Sequence, residues 1–144
     1  MIYHEKPDNF QPKFSTVSCY LEHDGKILLL RRQDHKSEGN RWGMPAGKID
    51  EGENKSEAML REIKEETGQV LTPEKLEYLD KVYVKYPDYD FIYYVFRYRP
   101  SSLPVIELSA TEHKDYCWSM PQEAFKLDLV KDLDACLRLS YSIS

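Results

Sequence analysis

"GKIDEGENKSEAMLREIKEETG", residues 47–68, decides how this chain is read. It holds six glutamates, and Glu62, Glu65 and Glu66 crowd into five consecutive positions. Asn54 stands where a helix N-cap belongs, Glu57 three residues later completes a capping-box pattern, and Gly68 supplies a stop. The spacing therefore predicts a helix over 55–67, with Met59, Leu60, Ile63 and Thr67 as its buried stripe. On that helix Glu62, Glu65 and Glu66 fall within about 100° of arc, at i, i+3 and i, i+4 separations. Like charges so placed cost a few tenths of a kcal/mol per pair. A solvated acidic face near Lys55, Arg61 and Lys64 could carry that cost. A hard divalent cation would remove it, because such ions seek several oxygen ligands and commonly take carboxylates together with water and phosphate.

Outward from the helix, "SEGNRWGMPAGKIDEGEN" (37–54) has four glycines and a proline and reads as a long loop with a short strand near 42–45. Loops of that length in compact domains usually carry function. Before it, "FSTVSCYL" and "KILLLRR" flank "EHDGK", where Asp24-Gly25 signals a hairpin. After the helix, "LEYLDKVYVKY" and "DFIYYVFRYR" read as two antiparallel strands, and "DYCWSM" as a last strand. Pro121 to about Tyr141 reads as helical, with Leu129, Val130, Leu133, Cys136 and Leu137 on one face. Residues 1–14, with Pro7 and Pro12, read as an irregular arm ahead of one domain over 15–144. The fold expected is α/β (α+β): a mixed sheet with helices packed on it.

Composition narrows the function classes. The 144 residues are 41% hydrophobic and 31% charged, which suits one globular domain. The longest apolar run, "ILLL" at 27–30, is far short of the ~18 residues of a membrane span, so no membrane partner is expected. The N-terminus lacks a signal-peptide pattern, and Cys19, Cys117 and Cys136 lack metal-ligand spacing; a reducing, cytoplasmic setting is the expectation. A net charge of −5 disfavours long nucleic acid, although a bound cation could still admit a nucleotide. A homodimer is compatible with the sequence and not derivable from it.

Gly47, Glu53, Arg61, Glu62, Ile63, Glu65, Glu66 and Gly68 match G-x5-E-x7-R-E-U-x-E-E-x-G-U, where U is a bulky apolar residue. This is the signature of the Nudix (MutT-like) hydrolases, a family the chain resembles over roughly residues 15–140. Chance would place the seven fixed residue types so on the order of once in a million. Gln69, at the last U position, departs from the pattern. The resemblance implies an α/β/α sandwich, with the mixed sheet flanked by the box helix and a C-terminal helix. It also implies hydrolysis of a diphosphate bond with Mg²⁺ or Mn²⁺. On that basis Glu65 and Glu66 are metal ligands, Glu62 is a ligand or general base, and the Ala46 carbonyl completes the first metal site. Arg61 orients a glutamate, while Glu53 and Gly47 stand behind the ligands. Glu112 is where the family's additional loop acid would fall, with His113 beside it as a substitute.

The substrate is read outside the box. Arg31 and Arg32 are candidates to hold phosphates, although alternation along a strand lets at most one face the site. Trp42 and Tyr86 are candidates to stack on a base, as are Tyr89 and Tyr93. The expected substrate is a nucleoside triphosphate or a related small nucleotide. Dinucleoside polyphosphates and ADP-ribose are the alternatives within the enzyme class, and RNA 5′ ends are a further one. A nucleotide sensor without turnover is the alternative outside it; such relatives usually lose box glutamates, and this chain keeps them.

Overall fold

The computed structural model describes residues 1–143. Its spine is the strand β2 (Pro12–His23), which turns back into β3 (Lys26–Arg32). Asp24 and Gly25 sit at φ 51° and 75°, the double positive-φ pattern of the tight hairpin turn whose twist matches its strands. β2 and β3 pair only beside this turn, Glu22 with Ile27 and His23 with Lys26, and then diverge.

Each arm gathers its own neighbours. Two strands are added before and after the box helix: β4 (Trp42–Gly43) and β5 (Ala46–Lys48), then β6 (Glu77–Lys85) and β7 (Asp90–Tyr98). β7 runs parallel to β2 from Pro12 to Leu21, and β6 lies antiparallel on β7. β5 pairs with the other edge of β2 at Thr16–Ser18. β3 carries β4 and also β8 (His113–Ser119).

Residues 1–14 are not an irregular arm throughout. Ile2 and Tyr3 form β1 and pair with Val84 and Tyr83 of β6, and β2 already begins at Pro12. A two-residue strand at a sheet edge has no periodicity to betray it.

The helix α1 (Lys55–Thr67) has the bounds expected. Asn54 Oδ1 accepts from the Glu57 N–H at 2.8 Å, and Glu57 Oε1 accepts from the Asn54 N–H at 2.9 Å. Gly68 closes the helix at φ 76°, a left-handed conformation that favours a residue without Cβ, and donates to the Lys64 carbonyl. The C-terminal segment is not one helix. It forms a single turn, α2 (Pro121–Ala124), an extended stretch, and then α3 (Leu133–Tyr141).

Period-two alternation sorts the core into two layers. Val17, Cys19, Leu21, Leu28, Leu30, Phe96 and Tyr98 pack with Ala58, Met59 and Ile63 of α1. The alternate positions Tyr20, Ile27, Leu29 and Val95 pack with Leu133 and Leu137 of α3. Strands covered on both faces explain the unbroken "ILLL" run. The result is the mixed sheet flanked by the box helix and the C-terminal helix that the sequence implied. Among the described residues no helix is long and apolar enough to cross a membrane.

Because α1 positions the acidic residues, its cap is a sensitive point. Asn54→Ala should lower stability by about 1 kcal/mol. That corresponds to a fall of roughly 2–4 °C in melting temperature for a chain this size. An unchanged melting temperature would remove the capping box from this account.

Candidate active site

Glu62 and Glu66 lie one turn apart on α1 and face the glycine-rich loop. Glu66 is buried, and its Oε2 accepts from the Ala46 N–H at 3.0 Å. Glu62 lies against Gly47 so closely that a Cβ added there would stand 2.1 Å from the Glu62 Cδ. Glycine is needed at this position for the approach rather than for a turn. Glu65 points away to the solvent edge, with 57% of its side chain exposed.

Arg61 ties the loop to the helix. It makes a two-pronged pair with Glu53, Nε to Oε2 at 2.7 Å and Nη2 to Oε1 at 2.9 Å. Nη1 donates to Glu62 Oε1 at 2.8 Å and to Glu65 Oε2 at 3.3 Å, and Nη2 also donates to the Lys48 carbonyl at 3.0 Å. A planar guanidinium suits such a fan of acceptors and an ammonium does not. Hydrogen bonds from Arg61 and from the Asp50 backbone hold the Glu53 carboxyl down to about 2.

Electrostatics separate Glu62 and Glu66 from Glu53. Burial pushes the Glu66 carboxyl well above its ordinary range, and the neighbouring Glu62 charge pushes it further. Burial raises Glu62 too, against the pull of Arg61. His113 Nε2 is 3.8 Å from Glu66 Oε1. Burial and the nearby Arg32 hold that imidazole down to about 4, so at neutral pH it carries no charge to offer. Its Nδ1 is buried without a hydrogen-bond partner.

Buried Glu66 and partly buried Glu62 thus neighbour each other on α1, with Arg61 hydrogen-bonded to Glu62, while among the described residues no lysine or arginine pairs with Glu66, on which Arg32 acts only through its charge. Among the described residues no three acidic, histidine or cysteine side chains already converge as a ligand cage. The all-oxygen donor set and the missing counter-charge nevertheless fit a hard divalent cation.

The site opens into a cavity of about 310 Å³. Arg32, Gly47, Lys48, Glu66 and His113 line part of it; Phe14, Met44, Tyr86, Tyr89, Phe91 and Tyr93 supply its apolar wall. Tyr86 meets Phe91 and Tyr89 edge-on, each at 5.5 Å between ring centroids, and the Lys131 ammonium lies 4.1 Å from the Tyr86 ring. Of the two arginines, Arg32 reaches the cavity. Arg31 is turned away, donating to the Asn40 carbonyl and stacking on Trp42 at 5.6 Å.

Trp42 is likewise outside the cavity and braces the chain. Its N–H donates to the Asp128 carbonyl and its carbonyl accepts from Val130. Glu112 does not line the cavity either; it pairs with Lys36 at 2.8 Å, and that pair holds its carboxyl below the usual range.

Sequence reading missed Phe14, Met44 and the Lys131–Asp132 step as cavity residues. Phe14 and Met44 gave no local signal, because the strand pairings that bring them there are non-local. Leu127-Asp128-Leu129 did give one: its alternation marks the extended stretch that replaces the expected helix, with Leu129 bridged to Trp42.

A family model described as the NUDIX domain matches residues 12–139. The chain is 28% identical to the CTP pyrophosphohydrolase of Escherichia coli K12 over 115 residues, 78% of this chain and 80% of that protein. It spans under a third of several other curated relatives. The crystal structure of a MutT protein from Methanosarcina mazei Go1 superposes with a TM-score of 0.79 at 23% identity, covering 92% of this chain and 95% of that one. A bifunctional NMN adenylyltransferase/ADP-ribose pyrophosphatase from Francisella tularensis, complexed with AMP and a manganese ion, gives 0.73 at 25% identity. That match covers 93% of this chain and 42% of that one.

The raised Glu66 carboxyl has a measurable consequence without added metal. The folded protein keeps that proton after the unfolded chain, titrating near ~4.3, has lost it. Unfolding free energy therefore falls as pH rises above that value. Glu66→Gln, which keeps an acceptor for the Ala46 N–H, should melt above the wild type at pH 8 in EDTA. The two should converge near pH 4. A variant that melts lower at pH 8 would show that Glu66 is not held against its charge.

Proposed function

The chain belongs to the NUDIX family, and on that premise we propose that it is a divalent-metal-dependent pyrophosphohydrolase acting on a nucleoside triphosphate or a similar small nucleotide. The observation that carries this reading is Glu66, buried at the wall of a cavity that combines cationic and aromatic side chains, with the partly buried Glu62 one turn away on α1 and no lysine or arginine paired to Glu66 among the described residues.

Glu62, Glu65, Glu66 and the Ala46 carbonyl are the ligands assigned to Mg²⁺ or Mn²⁺. Such an ion would polarise the phosphate oxygens and lower the pKa of bound water. Glu65 is free to turn toward the site, since it is exposed and held only by the outermost of the Arg61 contacts. Glu62 is assigned the proton of the attacking water, because a carboxyl raised by burial is a stronger base than an exposed one. Arg61, fixed on Glu53, sets the position of that carboxylate. Water attacks phosphorus, the anhydride bond breaks, and two phosphate-bearing products leave.

Arg32 and Lys48 face the cavity and suit the remaining phosphate charge. Tyr86 and its aromatic neighbours suit the base; Arg31 and Trp42 support the loop instead of touching substrate. Glu112 remains ionised beside the cavity as an auxiliary acid. Three free cysteines suit a reducing, cytoplasmic setting.

Phosphate or pyrophosphate release should be measured across canonical nucleoside triphosphates, dinucleoside polyphosphates, ADP-ribose and nucleotide sugars, with Mg²⁺ and then with EDTA. At least one triphosphate should be turned over with kcat/KM of about 10⁴ M⁻¹s⁻¹ or better, abolished by EDTA. Glu65→Gln should lower that value by several orders of magnitude while leaving the melting temperature nearly unchanged. Turnover that persists in EDTA, or in Glu65→Gln at the wild-type rate, would refute the reading.

A further inference from the structure

Alternation along β7 separates two surfaces of the sheet. Phe91 and Tyr93 line the cavity, while Tyr94, Phe96 and Tyr98 face the α1 side. There Phe96 and Tyr98 are buried in the core with α1, and Tyr94 is left at its margin, partly buried. Lys81 of β6 pairs across from Tyr94, and the Tyr78 ring lies 6.2 Å from that of Tyr94 between centroids. Tyr78 is 48% exposed. The Lys55 ammonium is 5.0 Å from the Tyr78 ring and 5.6 Å from the Tyr94 ring. That of Lys81 is 6.0 Å from the Tyr94 ring and 5.2 Å from the Tyr83 ring. Tyr78, Lys55, Tyr94, Lys81 and Tyr83 thus form one row in which rings and cations alternate.

Among the described residues neither lysine pairs with a carboxylate, because the acids around them are committed elsewhere. Glu53 is held by Arg61 at 2.7 Å and Glu77 by Arg97 at 3.1 Å. Glu57 accepts from the Asn54 N–H, and Asp80 accepts from the Lys81 backbone N–H at 2.8 Å. Cation–aromatic contacts at exposed sites are weak and give way to a base stacked on the same ring. Rings that stack bases, interleaved with cations that meet phosphates, are the elements of a single-strand binding track. Beside Lys55 a recess of about 360 Å³ is lined by Ser15, Ile49, Glu53 and Tyr94.

We infer that this row binds a short stretch of single-stranded RNA. It lies on the opposite face of β7 from the cavity and does not depend on the nucleotide reading given above. Bases stack on Tyr78 and Tyr94, and the phosphates between them meet Lys55 and Lys81. The Ser15 hydroxyl at the recess suits a ribose 2′-hydroxyl, which DNA lacks. A net charge of −5 weakens such binding without abolishing it, since stacking carries no charge. An acidic peptide would use the lysines and leave the rings idle.

Fluorescence anisotropy of a 3′-labelled oligoadenylate of about eight nucleotides tests this surface. A 5′-hydroxyl end and EDTA keep hydrolysis out of the measurement. Binding should weaken about sevenfold between about 50 and about 200 mM salt, as for two phosphates neutralised on a single strand. Tyr78→Ala should weaken it at least about fivefold, and Lys55→Gln combined with Lys81→Gln should remove most of the salt dependence. The deoxy oligomer should bind at least about threefold more weakly. Tyr86→Ala, in the cavity, should bind like the wild type. Thermal unfolding checks that each variant folds, and the salt and deoxy comparisons need no variant. No binding at the lower salt, equal binding of the deoxy oligomer, or binding that survives in folded Tyr78→Ala overturns the inference. So does a loss confined to Tyr86→Ala, which would move the RNA to the cavity. Displacement by an equal concentration of oligoglutamate would show a surface that reads charge alone, and overturns it as well. These results hold whether or not the protein hydrolyses nucleotides.

Discussion

The site depends on the commitment of Arg61. One guanidinium takes both oxygens of Glu53, one of Glu62 and the Lys48 carbonyl, all within 3.0 Å. It thereby clamps the glycine-rich loop to the box helix and fixes Glu62 against Gly47. Among the described residues no lysine or arginine pairs with Glu66 in the same way. Glu66, one turn further on, is buried with an N–H from Ala46 and an uncharged imidazole beside it, and feels Arg32 only through its charge. An arginine that satisfied both carboxylates would leave no reason for a cation. This arrangement builds the loop–helix joint and the unmet charge from the same residues.

The sheet delivers that joint to a substrate. β2 is long enough to meet β7 on one edge and β5 on the other, so the loop end carrying Ala46 and Gly47 is fastened to the centre of the fold. Alternate residues of the central strands bury α1 on one face and α3 on the other. The cavity forms where β5, α1, β7 and the approach to α3 come together. Its acidic and aromatic parts belong to elements far apart in sequence, which makes their mutual placement a property of the fold and not of any motif.

The local features were legible because local physics determines them. Asn54, Glu57 and Gly68 set the bounds of α1, and Asp24-Gly25 set the hairpin, through hydrogen bonds and backbone conformations spanning a few residues. The C-terminal helix was drawn too long because apolar residues at 129 and 130 fit its stripe. They are instead held extended by Trp42 and pack in the α3-side core. The glutamates at 62, 65 and 66 were legible as a cluster, whereas their unequal burial was not: that depends on a loop folding over one side of α1. The same holds for His113, offered from sequence as a loop substitute for Glu112, which instead opens β8 and is buried against Glu66. Arg31 and Arg32 show where periodicity suffices, since alternation predicted that at most one would reach the site.

The central claim is that Glu66, buried beside Glu62, awaits a divalent cation. It is tested most directly by titrating Mn²⁺ into the protein calorimetrically from about pH 5 to about pH 8. Burial raises the affinity of the Glu66 carboxyl for its proton, so proton and metal compete for it. The account predicts saturable binding that tightens as pH rises in the wild type, and markedly weaker binding in Glu66→Gln. Absence of binding, or binding equally tight in Glu66→Gln, would contradict it.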